Sequence, residues 1–77
     1  MTDTVHNLPA MVPVKSSHIE SIGHDADGQT LYVRFKDAGT YAYSGVDGTK
    51  FHQLRQAESV GSHFHRHVKS VHHGRKV

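Results

Sequence analysis

Polar and apolar residues alternate most clearly over residues 31–36, which read Leu-Tyr-Val-Arg-Phe-Lys. Successive side chains of a strand point to opposite faces, so this alternation predicts a half-buried strand. Its three apolar side chains share one face, and Tyr32, Arg34 and Lys36 share the other. The segment therefore predicts the central strand of a sheet with one buried face.

Strands are also predicted before and after this segment. Residues 40–46 are rich in residues that favour strands, such as Thr, Tyr and Val. Upstream, Ile19 and Ile22 lie three residues apart, so a bulge or bend near residues 21–23 is needed to place both on one face. Turn-forming Asp and Gly residues separate the segments, which predicts an antiparallel meander.

Helical spacing replaces alternation in the C-terminal half of the chain. Residues 50–58 are predicted to form a short amphipathic helix, for which Asp47 or Thr49 is the cap. A second helix is predicted to begin after Ser59 and to end at Gly74, with apolar residues at spacings of four and three. The predicted fold class is α+β: a three-stranded antiparallel β-meander packed against two short C-terminal helices.

The length of 77 residues allows one domain. We expect a flexible N-terminal arm over residues 1–11, the domain over residues 12–73 and a basic tail over residues 74–77. The predicted core consists of Ile19, Ile22, Leu31, Val33, Phe35, Phe51, Leu54, Ala57, Phe64, Val68 and Val71, with Tyr41, Tyr43 and Val46 beside them. A domain of this size buries only about 60% of its unfolded surface. Such marginal stability is consistent with a homodimer or with stabilisation by a partner.

Tyr41 and Tyr43 share a face of the third strand, and the length of the preceding turn decides which face it is. A three-residue turn over residues 37–39 places both tyrosines opposite apolar residues of the central strand, in the core. A turn one residue shorter places them opposite Lys36 and Arg34, because a one-residue slip exchanges the faces of a strand. That second arrangement would give the aromatic and basic surface that single-stranded nucleic acid needs.

Charge divides the chain unevenly. Residues 1–49 hold three basic and six acidic residues, whereas residues 50–77 hold six basic residues and one acidic residue. Six of the nine histidines also lie in the basic half, and their protonation below a pH of about 6.5 would add positive charge there. A basic segment predicts an anionic partner, most often nucleic acid. The alternative interpretation is a solvated helix face followed by a frayed tail.

The chain has no cysteine, which excludes disulfides and thiolate metal sites and fits a reducing compartment. The N-terminus lacks the apolar stretch of a signal peptide. The apolar runs fall far short of the roughly 20 residues that a membrane span needs. We therefore expect a cytoplasmic protein that has no membrane partner.

Catalytic and metal-binding patterns are weak. We find no nucleophile elbow, glycine-rich phosphate loop or pair of carboxylates, so we expect no enzymatic activity and no cofactor. His63 and His67 lie four residues apart, a spacing that can chelate a metal on a helix. Two ligands make a weak and unselective site, so solvent-exposed histidines without a physiological metal are the expectation.

Five short motifs occur in an order that resembles the KTSC domain family: Ser16-Ser17-His18-Ile19, Ile22-Gly23, Leu31-x-Val33-x-Phe35, Tyr41-Ala42-Tyr43 and Ala57-x-Ser59-x-Gly61-x-x-Phe64. The resemblance covers about residues 12–72. The family is named for its occurrence at the C-terminus of some lysyl-tRNA synthetases, and it also occurs as small stand-alone proteins of bacteria and their phages.

The resemblance implies a small α+β domain with a central Tyr-x-Tyr motif and without an established catalytic activity. An RNA-binding role has been suggested for the family because of the synthetase context. This sequence departs from the family pattern at His24, where an aromatic residue is common, and in its histidine-rich C-terminal helix.

The lead hypothesis is a small non-catalytic module that binds RNA or single-stranded nucleic acid. The predicted contacts are Tyr32, Tyr41 and Tyr43 for base stacking and Arg34, Lys36, Arg55, Arg66 and Lys69 for phosphates. One alternative is a phage or bacterial interaction module that docks on a host protein. Another is a dimeric sponge for an anionic nucleotide ligand.

Overall fold

The computed structural model describes residues 9–77. The chain forms a five-stranded antiparallel sheet whose strands lie side by side in sequence order. Its elements are β1 (Val12–Pro13), β2 (Ile19–Asp25), β3 (Thr30–Phe35), β4 (Gly39–Ser44), α1 (Gly48–Arg55), α2 (Val60–Phe64), a π-helical segment (His65–Lys69) and β5 (Gly74–Lys76). In this part of the chain, we find no helix with the length and apolar character that crossing a bilayer requires.

The predicted α+β class is confirmed, but the predicted three-stranded sheet is wrong, because β1 and β5 extend the meander at its two edges. β1 is only two residues long and contains Pro13, which lacks a backbone N–H and therefore suits an edge strand. β5 consists of Gly-Arg-Lys, a segment for which the sequence predicts a basic tail over residues 74–77 rather than a strand. Most of the predicted arm over residues 1–11 lies outside the described residues.

A bulge in β2 reconciles the spacing of its two isoleucines. Ile19 pairs with Phe35 of β3, whereas Ser21 pairs with Arg34, so Glu20 is an extra residue in the ladder. The extra residue shifts the alternation by one, and both Ile19 and Ile22 become fully buried on the same face. The predicted irregularity is confirmed, one residue upstream of the predicted site.

The helices cover one face of the sheet, and the core lies between these two layers. The buried apolar side chains of this core are Ile19, Ile22, Leu31, Val33, Tyr43, Val46, Leu54, Val60, Phe64 and Val68. Val14, Phe35, Tyr41 and Phe51 are partly buried against this cluster. Most of the predicted core is therefore confirmed, and Val60 joins it.

Val71 does not belong to the core, because 67% of its surface is exposed. The prediction assumed that one α-helix continues past Phe64. Instead, residues 65–69 widen into a π-helical turn, in which hydrogen bonds span five residues rather than four. The wider turn shifts the later residues around the axis, so Val68 remains buried while Val71 turns toward solvent.

Side-chain caps fix where both helices begin. The Asp47 carboxylate accepts a hydrogen bond of 2.9 Å from the backbone N–H of Lys50, so Asp47, rather than Thr49, caps α1. The Ser59 hydroxyl accepts a hydrogen bond from Ser62 N and caps α2, as the sequence predicts. A side-chain acceptor at this position satisfies a backbone donor that the helix itself leaves unpaired.

β5 packs closely beside β4 because Gly74 lacks a side chain. Gly74 pairs with Tyr43 across the two strands, and a Cβ atom built at position 74 would overlap the Tyr43 ring. The same ring makes an edge-on contact with Phe64, at 5.2 Å between ring centroids. A single buried tyrosine thus joins the last strand to the helical layer.

Candidate functional site

The two motif tyrosines lie on the face of the sheet that the helices cover. A three-residue turn connects β3 and β4, and it places Tyr41 opposite Val33 and Tyr43 opposite Leu31. The turn begins one residue earlier than predicted, which moves each cross-strand partner by two positions and keeps the same face. The arrangement that would present both tyrosines beside basic residues is therefore not adopted.

Burial gives Tyr43 a structural role rather than a stacking surface. Only 5% of its surface is exposed, so it has no free ring face for a base, contrary to the sequence hypothesis. Its burial, together with the nearby Tyr41 hydroxyl, raises the pKa of Tyr43 above the ordinary value of 10.0. Tyr41 is half-buried, and its ring meets the Phe35 ring edge-on at 5.6 Å.

The remaining predicted contact residues do not form one surface. Tyr32 and Arg34 alternate with buried Leu31 and Val33, so they lie on the face of the sheet opposite the helices. There the Arg34 Nε donates a hydrogen bond of 3.3 Å to the hydroxyl of Thr40. This face is a second basic and aromatic surface, separate from the helical layer.

Two other predicted cations occupy further positions. Lys36 is exposed in the β3–β4 turn, where its backbone N–H donates to the carbonyl oxygen of His18 at 2.9 Å. Arg55 lines a separate hollow together with Lys15 and Glu58, so the Glu58 carboxylate is part of the same surface. Of the eight predicted contact residues, Arg66 and Lys69 line one cleft together.

That cleft lies between the segment that leads into β2 and the C-terminal helical layer, and its volume is about 660 Å³. Its twelve lining residues are Ser16, Ser17, His18, Ile19, Phe35, Ser59, Gly61, Ser62, Phe64, His65, Arg66 and Lys69. The apolar members belong to the core, whereas the polar members come from both sides of the cleft. The fold thus assembles the site from two segments that are far apart in sequence.

The polar lining of the cleft is rich in hydrogen-bond donors. Arg66 and Lys69 supply permanent positive charge, and His18 and His65 supply imidazole groups. Four serines add hydroxyls, and no Asp or Glu lines the cleft within residues 9–77. A cavity with this lining favours an anion over a neutral or cationic ligand.

Hydrogen bonds hold the first side of the cleft in place. The Ser16 hydroxyl oxygen accepts hydrogen bonds from the backbone N–H groups of His18 and Ile19, at 3.3 and 3.2 Å. A Cβ atom at Gly61 would lie only 3.1 Å from the same oxygen, so glycine lets the helical layer approach this turn closely. These two contacts set the width of the cleft beside Ser16.

His63 and His67 lie one helical turn apart, with their ring centroids separated by 4.5 Å. Partial burial of His63 and the proximity of His67 lower the pKa of His63 below its ordinary value. Within the described part of the chain, no group of three or more His, Cys, Asp or Glu residues is placed to hold a metal ion. The pair could thus offer two ligands at most, and neither ring lines the cleft.

Comparisons with known proteins agree with this architecture. The model of the KTSC domain matches residues 15–72, which is most of the chain. The chain belongs to the KTSC domain family. A crystal structure of a KTSC domain protein from Yersinia pestis is 37% identical, with a TM-score of 0.84 over 88% of this chain and 96% of that one.

Two relatives are similar in sequence. An uncharacterised protein of Stutzerimonas stutzeri is 34% identical over 62 residues, which cover 80% of this chain and 87% of the relative. A protein of Tsukamurella paurometabola is 45% identical over 51 residues, which cover 66% of this chain and 76% of the relative. The names of these two relatives state no activity or ligand.

Eight of the twelve cleft residues belong to the motifs that carry the KTSC resemblance. The Ser16-Ser17-His18-Ile19 motif forms one side, and Ser59, Gly61 and Phe64 lie on the other. The sequence hypothesis named Arg66 and Lys69 as phosphate contacts and left open the same role for His65, but it did not name His18 or the serines. The motif segments themselves were the available signal, but only the folded chain shows that they meet.

Proposed function

We propose that this KTSC domain is a non-catalytic module that binds RNA or other single-stranded nucleic acid, and that the cleft is its phosphate-binding site. The lining of the cleft carries this proposal: two permanent cations, two imidazoles and four hydroxyls face an anion without a competing carboxylate. Phosphate oxygens accept hydrogen bonds from all of these groups. The proposal omits Tyr43 as a contact, because that side chain is buried.

The hydrogen bonds of the serines support binding rather than nucleophilic catalysis. Ser16 and Ser59 both use the hydroxyl oxygen to accept backbone N–H groups, Ser16 in a tight turn and Ser59 in a helix cap. A catalytic serine instead donates its hydroxyl proton to a neighbouring base. Within the described residues, neither hydroxyl has a histidine ring as its hydrogen-bond partner, because both accept from backbone N–H groups.

Docking on a host protein through an apolar surface has less support. In the part of the chain that the structure covers, the exposed large apolar residues are Val71 and Val77. Two valines do not amount to the several hundred Å² of contiguous apolar surface that such docking usually needs. Nucleic acid therefore remains the proposed partner.

The first test measures affinity for a short, fluorescently labelled single-stranded RNA by anisotropy. Removal of one charge-assisted contact from the cleft should weaken binding by about tenfold, so we expect this loss for Arg66→Gln and for Lys69→Gln. Arg75→Gln is the matched control, because it removes the same charge from an exposed residue of β5 that does not line the cleft.

We expect Arg75→Gln to bind as the unchanged protein does. Equal losses in Arg66→Gln and Arg75→Gln would point to non-specific attraction by net charge instead of a cleft. If the unchanged protein binds neither RNA nor single-stranded DNA, the proposed function is wrong. Circular dichroism of each variant separates loss of binding from loss of folding.

A further inference from the structure

We infer that the cleft recognises a phosphate monoester, such as the phosphorylated end of a strand or a mononucleotide, in preference to an internal phosphodiester. This inference rests on the proposed function and specifies which phosphate the cleft receives. The local charge, the free hydrogen-bond donors of the cleft and the positions of the other cations support it.

Charge in the cleft suits a doubly charged group. A phosphate monoester carries between one and a half and two negative charges at neutral pH, roughly twice the charge of an internal diester. Arg66 and Lys69 both belong to the π-helical segment, and both line the cleft. His18 and His65 add two imidazole groups that can donate hydrogen bonds to phosphate oxygens.

The serine hydroxyls add donors that the protein leaves free. The oxygens of Ser16 and Ser59 already accept backbone N–H groups, and among residues 9–77 neither hydroxyl donates to a protein acceptor. Each hydroxyl can therefore still donate its single hydrogen to a ligand oxygen. A monoester presents three terminal oxygens as strong acceptors, whereas a diester presents two.

Arg34 and Arg55 do not extend the cleft into a continuous basic groove. Proteins that bind single strands along the backbone use a continuous basic groove, which spans about 4–16 nucleotides in an OB fold. Here Arg34 lies on the opposite face of the sheet, and Arg55 lies in another hollow beside Glu58. Neither arginine therefore continues the cleft into a basic groove, which suits one terminal phosphate rather than several internal ones.

The dimensions of the cleft agree with one nucleotide. Its volume of about 660 Å³ falls within the range of small-ligand sites. Phe35, which is only partly buried, provides an apolar floor next to the basic side chains. A nucleoside could rest over this floor while its phosphate contacts Arg66 and Lys69.

The test compares one labelled RNA sequence with a 5′-phosphate and with a 5′-hydroxyl, at matched ionic strength. We expect the phosphorylated strand to bind about tenfold more tightly, because it adds a charge-assisted contact. Arg66→Gln should abolish this preference, whereas Arg75→Gln should retain it. Competition with a nucleoside 5′-monophosphate, and with the nucleoside alone, measures how much of the preference the phosphate itself supplies.

The outcomes separate the inference from the function on which it rests. Equal affinity for both strands, with both weakened by Arg66→Gln, would overturn the inference and leave nucleic-acid binding in place. Binding of the monophosphate without binding of either strand would support a monoester site and assign it to free nucleotides, contrary to the proposed function. Absence of binding to the strands and the monophosphate would overturn both.

Discussion

Tyr43 shows how strongly one side chain can depend on its neighbours. The ring contacts Phe64 edge-on and lies over Gly74, and the hydroxyl lies near the hydroxyl of Tyr41. Ionisation would place a phenolate in this buried environment, beside a second phenol. The motif tyrosine is therefore best understood as a core residue whose neutral form the fold requires.

This environment predicts a loss of stability in alkaline solution. The pKa of Tyr43 is raised in the fold above its ordinary value of 10.0, so the unfolded chain loses this proton at a lower pH than the folded chain. The contribution of the neutral Tyr43 phenol to the free energy of unfolding is complete below a pH of about 10. It declines as the pH rises from the pKa of the unfolded chain towards the pKa in the folded chain. Combined titration of tyrosinate absorbance and circular dichroism should show ionisation of one tyrosine together with unfolding.

Tyr43→Phe keeps the ring and removes the ionisable hydroxyl, so we expect it to weaken the alkaline transition. Tyr32→Phe is the control, because Tyr32 lies on the opposite face of the sheet and should leave the transition unchanged. An alkaline transition that is identical in Tyr43→Phe and the unchanged protein would contradict the buried-phenol explanation.

Individual elements differ in how far their own sequence determines them. Alternation predicted β3, and the residue composition predicted β4. Polar residues before the helical segments indicated Ser59 as one cap and left Asp47 or Thr49 as the other. The edge strands could not be predicted in this way, because β1 and β5 are short and exist through pairing with β2 and β4. The π-helical segment could not be predicted either, because its sequence has the apolar spacing of an α-helix. Its greater width is evident only in the folded chain, where Val68 is buried and Val71 is exposed.

The cap of α1 gives a direct test at this scale. Asp47→Ala removes the acceptor for the Lys50 N–H and should lower the free energy of unfolding by about 1 kcal/mol. Thr49→Ala is the control, because Thr49 is an exposed residue within α1 and its change should cost less than about 0.5 kcal/mol. Urea denaturation of both variants measures the difference, and an equal cost would show that Asp47 is not the cap that matters.

Across the whole molecule, the fold distributes the cations that appeared clustered in the sequence. The net charge of +2 is modest, and the predicted contact residues occupy the cleft, the opposite sheet face, a turn and a separate hollow. The basic composition of the C-terminal half drew attention to Arg66 and Lys69, which the structure places in one cleft. It could not identify Ser16 or His18 as their neighbours, because that proximity depends on how the segment before β2 packs against the helical layer.

This distribution predicts a weak dependence of RNA binding on salt. Each neutralised phosphate charge of a single strand contributes a slope of about −0.7 to the logarithm of affinity against the logarithm of salt concentration. A cleft that receives one doubly charged terminal phosphate should therefore give a slope near −1.4 or shallower. Anisotropy titrations over a series of salt concentrations measure this slope, and a value of about −4 or steeper would indicate contacts along several phosphates.

The bulge at Glu20 connects these scales. In a regular ladder, Glu20 would pair with Phe35, and the Ile19 side chain would lie on the face of the sheet opposite the helices. The residues before Ile19 would then be displaced from their position beside the helical layer. The single extra residue thus determines on which side of the sheet the Ser16–His18 turn lies. In a relative that lacks this residue and has no other irregularity nearby, we expect the core to form from β3 and β4 and the cleft to lose its Ser16–His18 side.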